Sequence, residues 1–148
     1  MEQEGPFVFM ETYIMDALCK YSIKEKSEIK HVIDHLILDV ENSHPLSEQK
    51  AFEIRLVMNE LLSNCFKYCH ISPDSPVLVE YELDEKQLHF TVSDCGTGFD
   101  VKKTHYTELG NDLYAENGRG LYLANQLSSM LRFNDLGNKV TAIIDLMS

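Results

Sequence analysis

The spacing of apolar residues divides the chain into stretches of different period. Over 27–42, Ile29, Val32, Ile33, Leu36, Ile37 and Val40 recur at intervals of three and four, which predicts an amphipathic helix. Ser27 is its candidate N-cap, and His44-Pro45 marks its stop. A second periodic run opens at Ser47, carries Glu48 and Glu53 near its positive end, and reaches about Cys69. The cluster Ser72-Pro73-Asp74-Ser75-Pro76 cannot continue that helix.

The period then shortens to two. Val77, Val79, Tyr81 and Leu83 alternate with Leu78, Glu80 and Glu82, and the chain turns at Asp84-Glu85-Lys86-Gln87. Leu88, Phe90, Val92 and Asp94 alternate with His89, Thr91 and Ser93 on the returning strand. Before the first helix, Phe7-Val8-Phe9-Met10 reads as a short first strand, and 11–24 as its connection to that helix. Residues 100–117 show weak periodicity, the mark of a lid or a disordered loop in a compact domain. Gly118-Arg119-Gly120-Leu121 then enters a third helix with Leu121, Ala124, Leu127 and Leu131 inward. Leu131 to Phe133, a turn over 134–138 and a last strand over 139–147 close the chain. No internal repeat, linker or low-complexity segment interrupts it.

The 148 residues suit a single domain, 1–148, with a sizeable core, and 44% hydrophobic with 25% charged content is ordinary for a soluble protein. The formal net charge of −11 argues against a nucleic-acid binder and against docking on an anionic membrane. No apolar run approaches a membrane span, and the start Met-Glu-Gln-Glu-Gly-Pro lacks a signal peptide, so a cytoplasmic location is expected. Cys19, Cys65, Cys69 and Cys95 lack paired metal spacing and read as small buried hydrophobes kept reduced. His31 and His35, one turn apart, read as a solvated helix flank.

Three polar features need more than a surface explanation. On the second helix Glu60, Asn64 and Lys67 fall within an arc of roughly 60°, beside the apolar stripe of Ile54, Met58, Leu61 and Cys65. Asp94 ends the apolar face of its strand, and an unpaired buried charge costs several kcal/mol, so a partner is required. Cys95-Gly96-Thr97-Gly98-Phe99 follows, where two glycines permit close backbone approach. Gly118-Arg119-Gly120 leaves backbone N–H groups free at a helix start, a ready anion site. Each has a plainer reading: Glu60 as an exposed acid paired with Lys67 or Asn64, Asp94 as a turn aspartate bonding its own backbone, and Arg119 as a surface arginine.

The order of these features is more telling than any one of them. A helix with Glu-x-x-x-Asn-x-x-Lys, a strand ending Asp-x-Gly-x-Gly, a long loop, Gly-x-Gly-Leu opening a helix and a final strand resemble the Bergerat-fold ATP-binding domains. Gyrases, heat-shock chaperones, histidine kinases and mismatch-repair proteins share that fold. The resemblance covers roughly 47–147 and implies an α+β two-layer sandwich: a mixed, mostly antiparallel sheet covered on one face by about three helices. Within the superfamily the chain looks most like the bacterial anti-sigma serine kinases. Glu60, the run from Asp94 to Phe99, Gly118 to Leu121, and Gly137-Asn138-Lys139-Val140-Thr141 carry that likeness. Tyr68 stands where those kinases usually have histidine, and Ser129 where they often have aspartate.

The resemblance implies ATP and Mg²⁺ as cofactors. Asp94 would accept from the adenine 6-amino group, with Thr141 assisting through water, and Gly96 and Gly98 would let the backbone approach the base. Asn64 would hold Mg²⁺ through its amide oxygen. Lys67, Gly118, Arg119, Gly120 and Leu121 would serve the phosphates, and Glu60 would take the proton of the attacking hydroxyl. The implied partners are a sigma factor and a small anti-sigma antagonist of the STAS type, with a possible homodimer. A histidine-kinase-type ATP-binding domain and a nucleotide-dependent interaction module are the competing readings.

Overall fold

The computed structural model describes residues 19–69, 71–94, 96 and 116–147. Its first element is β1 (Cys19–Ile23), where Tyr21 and Ile23 are buried while Lys20 and Ser22 face solvent. This corrects the reading of 11–24 as a connection, and the alternation over those five residues is the reason. The expected strand at Phe7-Val8-Phe9-Met10 lies outside the described residues.

A 3₁₀ turn, Lys26–Glu28, leads into α1 (Ile29–Ser43). Ser27 lies inside that turn and is not the cap; Glu28 Oε1 instead accepts from the N–H groups of Lys24 at 2.7 Å and Glu25 at 3.1 Å. The helix stops as expected at His44, whose N–H bonds Val40. In α2 (Glu48–Tyr68), the Ser47 hydroxyl accepts from the N–H of Lys50 at 3.0 Å. That satisfies one of the orphan donors at the helix start.

The hairpin forms with β2 (Val77–Leu83) and β3 (Gln87–Ser93). Asp84 sets its register, because Oδ1 accepts from the N–H groups of Lys86 and Gln87, both at 2.8 Å. After α3 (Glu116–Leu127) come β4 (Met130–Phe133) and β5 (Lys139–Asp145). Leu131 is buried as expected, but from β4 and not from α3. Gly137, at φ 78°, makes the β4–β5 turn possible, and Asn134 Oδ1 gathers the N–H groups of Gly137, Asn138 and Lys139.

The strands join in the order β1-β2-β3-β5-β4, and every described pairing is antiparallel. Alternation puts Val79, Tyr81, Phe90, Val92, Val140, Ala142 and Ile144 on one face. There they meet Leu36, Val40, Ile54, Met58, Leu61 and Leu121 in one core. Helix α2 packs against both α1 and α3, and the opposite sheet face carries residues such as Glu80, Thr91 and Thr141. The result is the expected two-layer α+β sandwich. Among the described residues no helix is long and apolar enough to cross a membrane.

A polar contact is set into the α1–sheet interface. The Tyr81 hydroxyl donates to Asp39 at 2.6 Å, and Tyr21, stacked on Tyr81, shares a hydrogen bond of 2.5 Å with His35 Nδ1. His35 is thus tied to the sheet and is not merely a solvated flank. Burial, then the bond to Asp39, drives the Tyr81 hydroxyl far above its ordinary pKa, so it remains a donor. Tyr81→Phe is expected to cost about 1.5 kcal/mol, the lower end for a hydrogen bond to a charged group, since Asp39 can rehydrate. Urea unfolding should show a lower midpoint at unchanged slope; a loss under about 0.5 kcal/mol would mean the bond contributes little.

Candidate functional site

Helix α2 is buried along Ile54, Val57, Met58, Leu61, Leu62 and Cys65, so its polar stripe lies along the edge of that face. The stripe is graded. Asn64 is only 7% exposed, Glu60 is partly buried, and Lys67 is exposed. Its members therefore meet different surroundings although they share one helix.

Asn64 opens on a cleft between the C-terminal half of α2, the end of β3 and the β4–β5 turn. Leu61, Cys65, Asp94, Asn138 and Val140 are among its walls. The cavity measures about 20 Å³, room for a single water. Asn64 Nδ2 is buried there with no hydrogen-bond partner among the described residues. A buried, unmatched amide costs about 1–3 kcal/mol, which a bound polar group would return. A half-turn of the amide would put Oδ1 in the same place, the atom a hard cation prefers.

Asp94 follows β3 and keeps its alternation, so its carboxylate turns to the side of Val92 and α2, as the strand pattern predicts. Its N–H bonds the carbonyl of Asn138 at 3.0 Å, and its Oδ1 accepts from the N–H of Gly96 at 2.7 Å. The plainer reading, a turn aspartate, is therefore true as well. It does not exhaust the group, because a carboxylate offers about four acceptor positions and this one remains partly exposed at the cleft. Asn138 also donates from Nδ2 to the carbonyl of Gly96 at 3.0 Å, which pins the turn from the far side. Sequence reasoning missed Asn138. Its signal was the β4–β5 turn cluster, whose approach to β3 becomes visible only once β5 is paired.

Glu60 meets the start of α3. A β-carbon placed on Gly120 would overlap Oε1 of Glu60, so the two helices approach through that carboxylate. The expected glycine-rich entry to a helix is in fact inside it: α3 begins at Glu116, and Gly118, Arg119 and Gly120 lie in its first turns. Gly120 therefore has a steric reason to be glycine beyond any exposed N–H. The Arg119 side chain lies outside the described atoms, and Gly98 outside the described residues. Leu121 is fully buried in the core, where it packs α3 down and does not face a ligand.

Thr141 does not join the group. Its neighbour Val140 lines the cleft, so Thr141 points to the other sheet face, where its hydroxyl pairs with that of Thr91 at 3.2 Å. The cysteines also depart from the expectation. Cys65 is buried, but Cys69 is partly exposed at the end of α2, and both line the cleft beside Asp94. Cys95 lies outside the described residues. Among the described residues no cluster of three or more His, Cys, Asp or Glu side chains could hold a metal.

No curated protein matches the chain. The family model described as the histidine kinase-like ATPase domain matches residues 27–144, from the first turn before α1 to the last buried residue of β5. That span holds the cleft, the polar edge of α2 and the start of α3. The chain belongs to the histidine kinase-like ATPase domain family.

Proposed function

We propose that this protein binds ATP with Mg²⁺ and acts as a regulatory serine/threonine protein kinase of the anti-sigma type. Its substrate would be a serine of a small STAS-type antagonist, and it would sequester a sigma factor. The observation that carries the reading is the division of labour along α2. Asn64, with its unmatched amide, stands beside Asp94, while Glu60, one turn earlier, has its carboxylate against Gly120. A cation ligand and a proton acceptor would thus share one helix, with Asp94 across the cleft as the base anchor.

Each residue has a defined task. Asp94, its geometry set by Gly96 and Asn138, accepts an exocyclic N–H of the base. Asn64 offers its amide oxygen to the cation, and Lys67 offsets phosphate charge. The first turn of α3, which opens at Glu116, would offer its free backbone N–H groups to the phosphates. Glu60 receives the proton of the attacking serine hydroxyl, which a carboxylate does well when held in hydrogen-bond reach. Bound Mg²⁺ would neutralise charge on the transferring phosphoryl group. Phosphoryl transfer is mostly positioning, and here Glu60 and Asn64 are held by a buried helix and Asp94 by the end of a strand and the β4–β5 turn. A homodimer would bring two such clefts to one partner assembly.

Incubation with γ-labelled ATP and candidate partners separates this reading from its competitors. Label on a serine of the partner supports it; label on a histidine, or none, overturns it. Asp94→Asn should abolish ATP binding by calorimetry, because an amide N–H would then face the base amino group. Glu60→Gln should spare binding and lower transfer by about 10²–10⁴-fold, and lost binding would count against its role as base. Gly120→Ala should reproduce the Glu60→Gln phenotype by displacing the carboxylate. Its thermal midpoint should not fall, since alanine favours a helix by about 1 kcal/mol over glycine.

A further inference from the structure

The ladder between β3 and β5 ends at the pair Ser93–Lys139. One more backbone rung follows, from the N–H of Asp94 to the carbonyl of Asn138 at 3.0 Å. Beyond it a side chain takes over. Asn138 Nδ2 leaves its own hairpin and donates at 3.0 Å to the carbonyl of Gly96, 42 residues away in sequence. Closing the β4–β5 turn does not require that bond, because Asn134 already closes it. The N–H of Asn134 bonds the Lys139 carbonyl at 2.9 Å, and its own carbonyl accepts from Gly137 at 3.1 Å. Its side-chain Oδ1 accepts from Gly137, Asn138 and Lys139 at 2.9, 3.0 and 3.2 Å.

We propose that Asn134 and Asn138 are positioning residues for base selectivity. They form a hydrogen-bond relay from the exposed turn that fixes the direction of the Asp94 carboxylate, and so favours a 6-amino purine over a 6-oxo one. The inference rests on the reading of Asp94 as the base anchor. Its polarity follows link by link from what each group can donate or accept. Three backbone N–H groups at one atom require the oxygen of the Asn134 amide there, so its Nδ2 is left to face Asn138. That contact, 2.7 Å to Asn138 Oδ1, in turn requires the oxygen of Asn138. Nδ2 of Asn138 is then committed to Gly96, whose carbonyl can only accept. Gly96, held by its carbonyl, gives its N–H to Asp94 Oδ1 at 2.7 Å. With Oδ1 engaged, rotation of the carboxyl group is fixed, and Oδ2 is the oxygen that meets the ligand on this reading.

A carboxylate so oriented only accepts. The 6-amino group of adenine offers it an N–H, whereas a 6-oxo group would set one lone pair against another. A carboxylate free to turn loses that discrimination, because it can move to the N1–H that a 6-oxo purine carries. A tether that merely held the turn in place would support both bases equally, and this separates the two roles.

Wild type, Asn138→Ala and Asn134→Asp are compared by calorimetry with ATP and with inosine triphosphate, which carries the 6-oxo group and the same phosphates. Wild type should prefer ATP by at least about tenfold, the effect of one hydrogen bond to a charged group. Asn138→Ala cuts the relay and should lower that preference about fivefold. Asn134→Asp keeps an acceptor for the turn but presents a second oxygen to Asn138, whose amide then turns round and gives up Gly96. It should lower the preference by a similar factor, and its added charge acts on both nucleotides alike and cancels from the ratio. The double variant should match Asn138→Ala within about twofold, since a relay is broken only once. Equal weakening of both nucleotides, an unchanged preference, or losses that multiply in the double variant each overturn the proposal. Should Asn138→Ala fail to fold, Asn134→Asp, which opens no cavity, decides by its ratio alone. Wild-type protein that binds the two nucleotides equally, or neither, sinks the base-anchor reading and this inference with it; a wild-type preference that survives both substitutions sinks the relay only.

Discussion

Asp94 leaves β3 on the face that carries Val92 and Phe90, so its carboxylate meets α2 and not bulk water. Much of the surrounding geometry answers that one placement. The β4–β5 turn comes across so that Asn138 can take both the N–H of Asp94 and offer its amide to Gly96. That approach is possible because β5 pairs with β3 along its length, from Gln87–Asp145 to Ser93–Lys139. A carboxylate held by a backbone donor keeps its direction, whereas one left to water turns freely. Pairing, turn chemistry and site geometry are here one constraint.

Helix α2 bears the complementary load. Its long apolar face sits in the core between α1 and α3, and that burial fixes the rotation of the helix about its axis. Once rotation is fixed, residues at the margin of the face have no freedom over where they point. Asn64 is drawn in until it is almost covered, Glu60 reaches the neighbouring helix, and Lys67 stays in solvent. A single helix can therefore present three chemistries at three depths. Precision comes from the hydrophobic packing behind the polar edge, since packed side chains do not shift by fractions of an ångström without loss.

The sequence was most readable where local rules and tertiary packing agree. Ser47 opened α2 as its side chain requires, Asp84 closed the hairpin, and the inward direction of Asp94 followed from a period of two. The failures have physical causes. Cys19 to Ile23 is a five-residue strand at the edge of the described sheet, and its alternation was too short to stand out from the polar residues around it. Ser27 lost the capping role because Glu28 reached back to two N–H groups at once. Thr141 was assigned to the site from a motif, but strand parity decides its face, and Val140 holds the inward position. Gly120 was read for its backbone donor, yet its missing side chain matters for a partner sixty residues away, which no local pattern encodes. The cysteines read as buried hydrophobes; only the fold brings Cys65 and Cys69 to the cleft that Asp94 lines.

A cleft built this way is costly while it is empty. An amide with no partner and a carboxylate facing inward lower stability relative to the apolar residues that would pack there equally well. Sequences that specify one fold usually break their own rules only where something is gained by it. Among the described residues the rule that buried polar atoms find partners is broken at Asn64, on the turn of α2 that faces the end of β3, and at His44 beyond the end of α1. A ligand that supplies an N–H to Asp94 and an oxygen or cation to Asn64 would recover the deficit on binding. On the proposed reading, those same groups would give the bound protein its affinity and its choice of base.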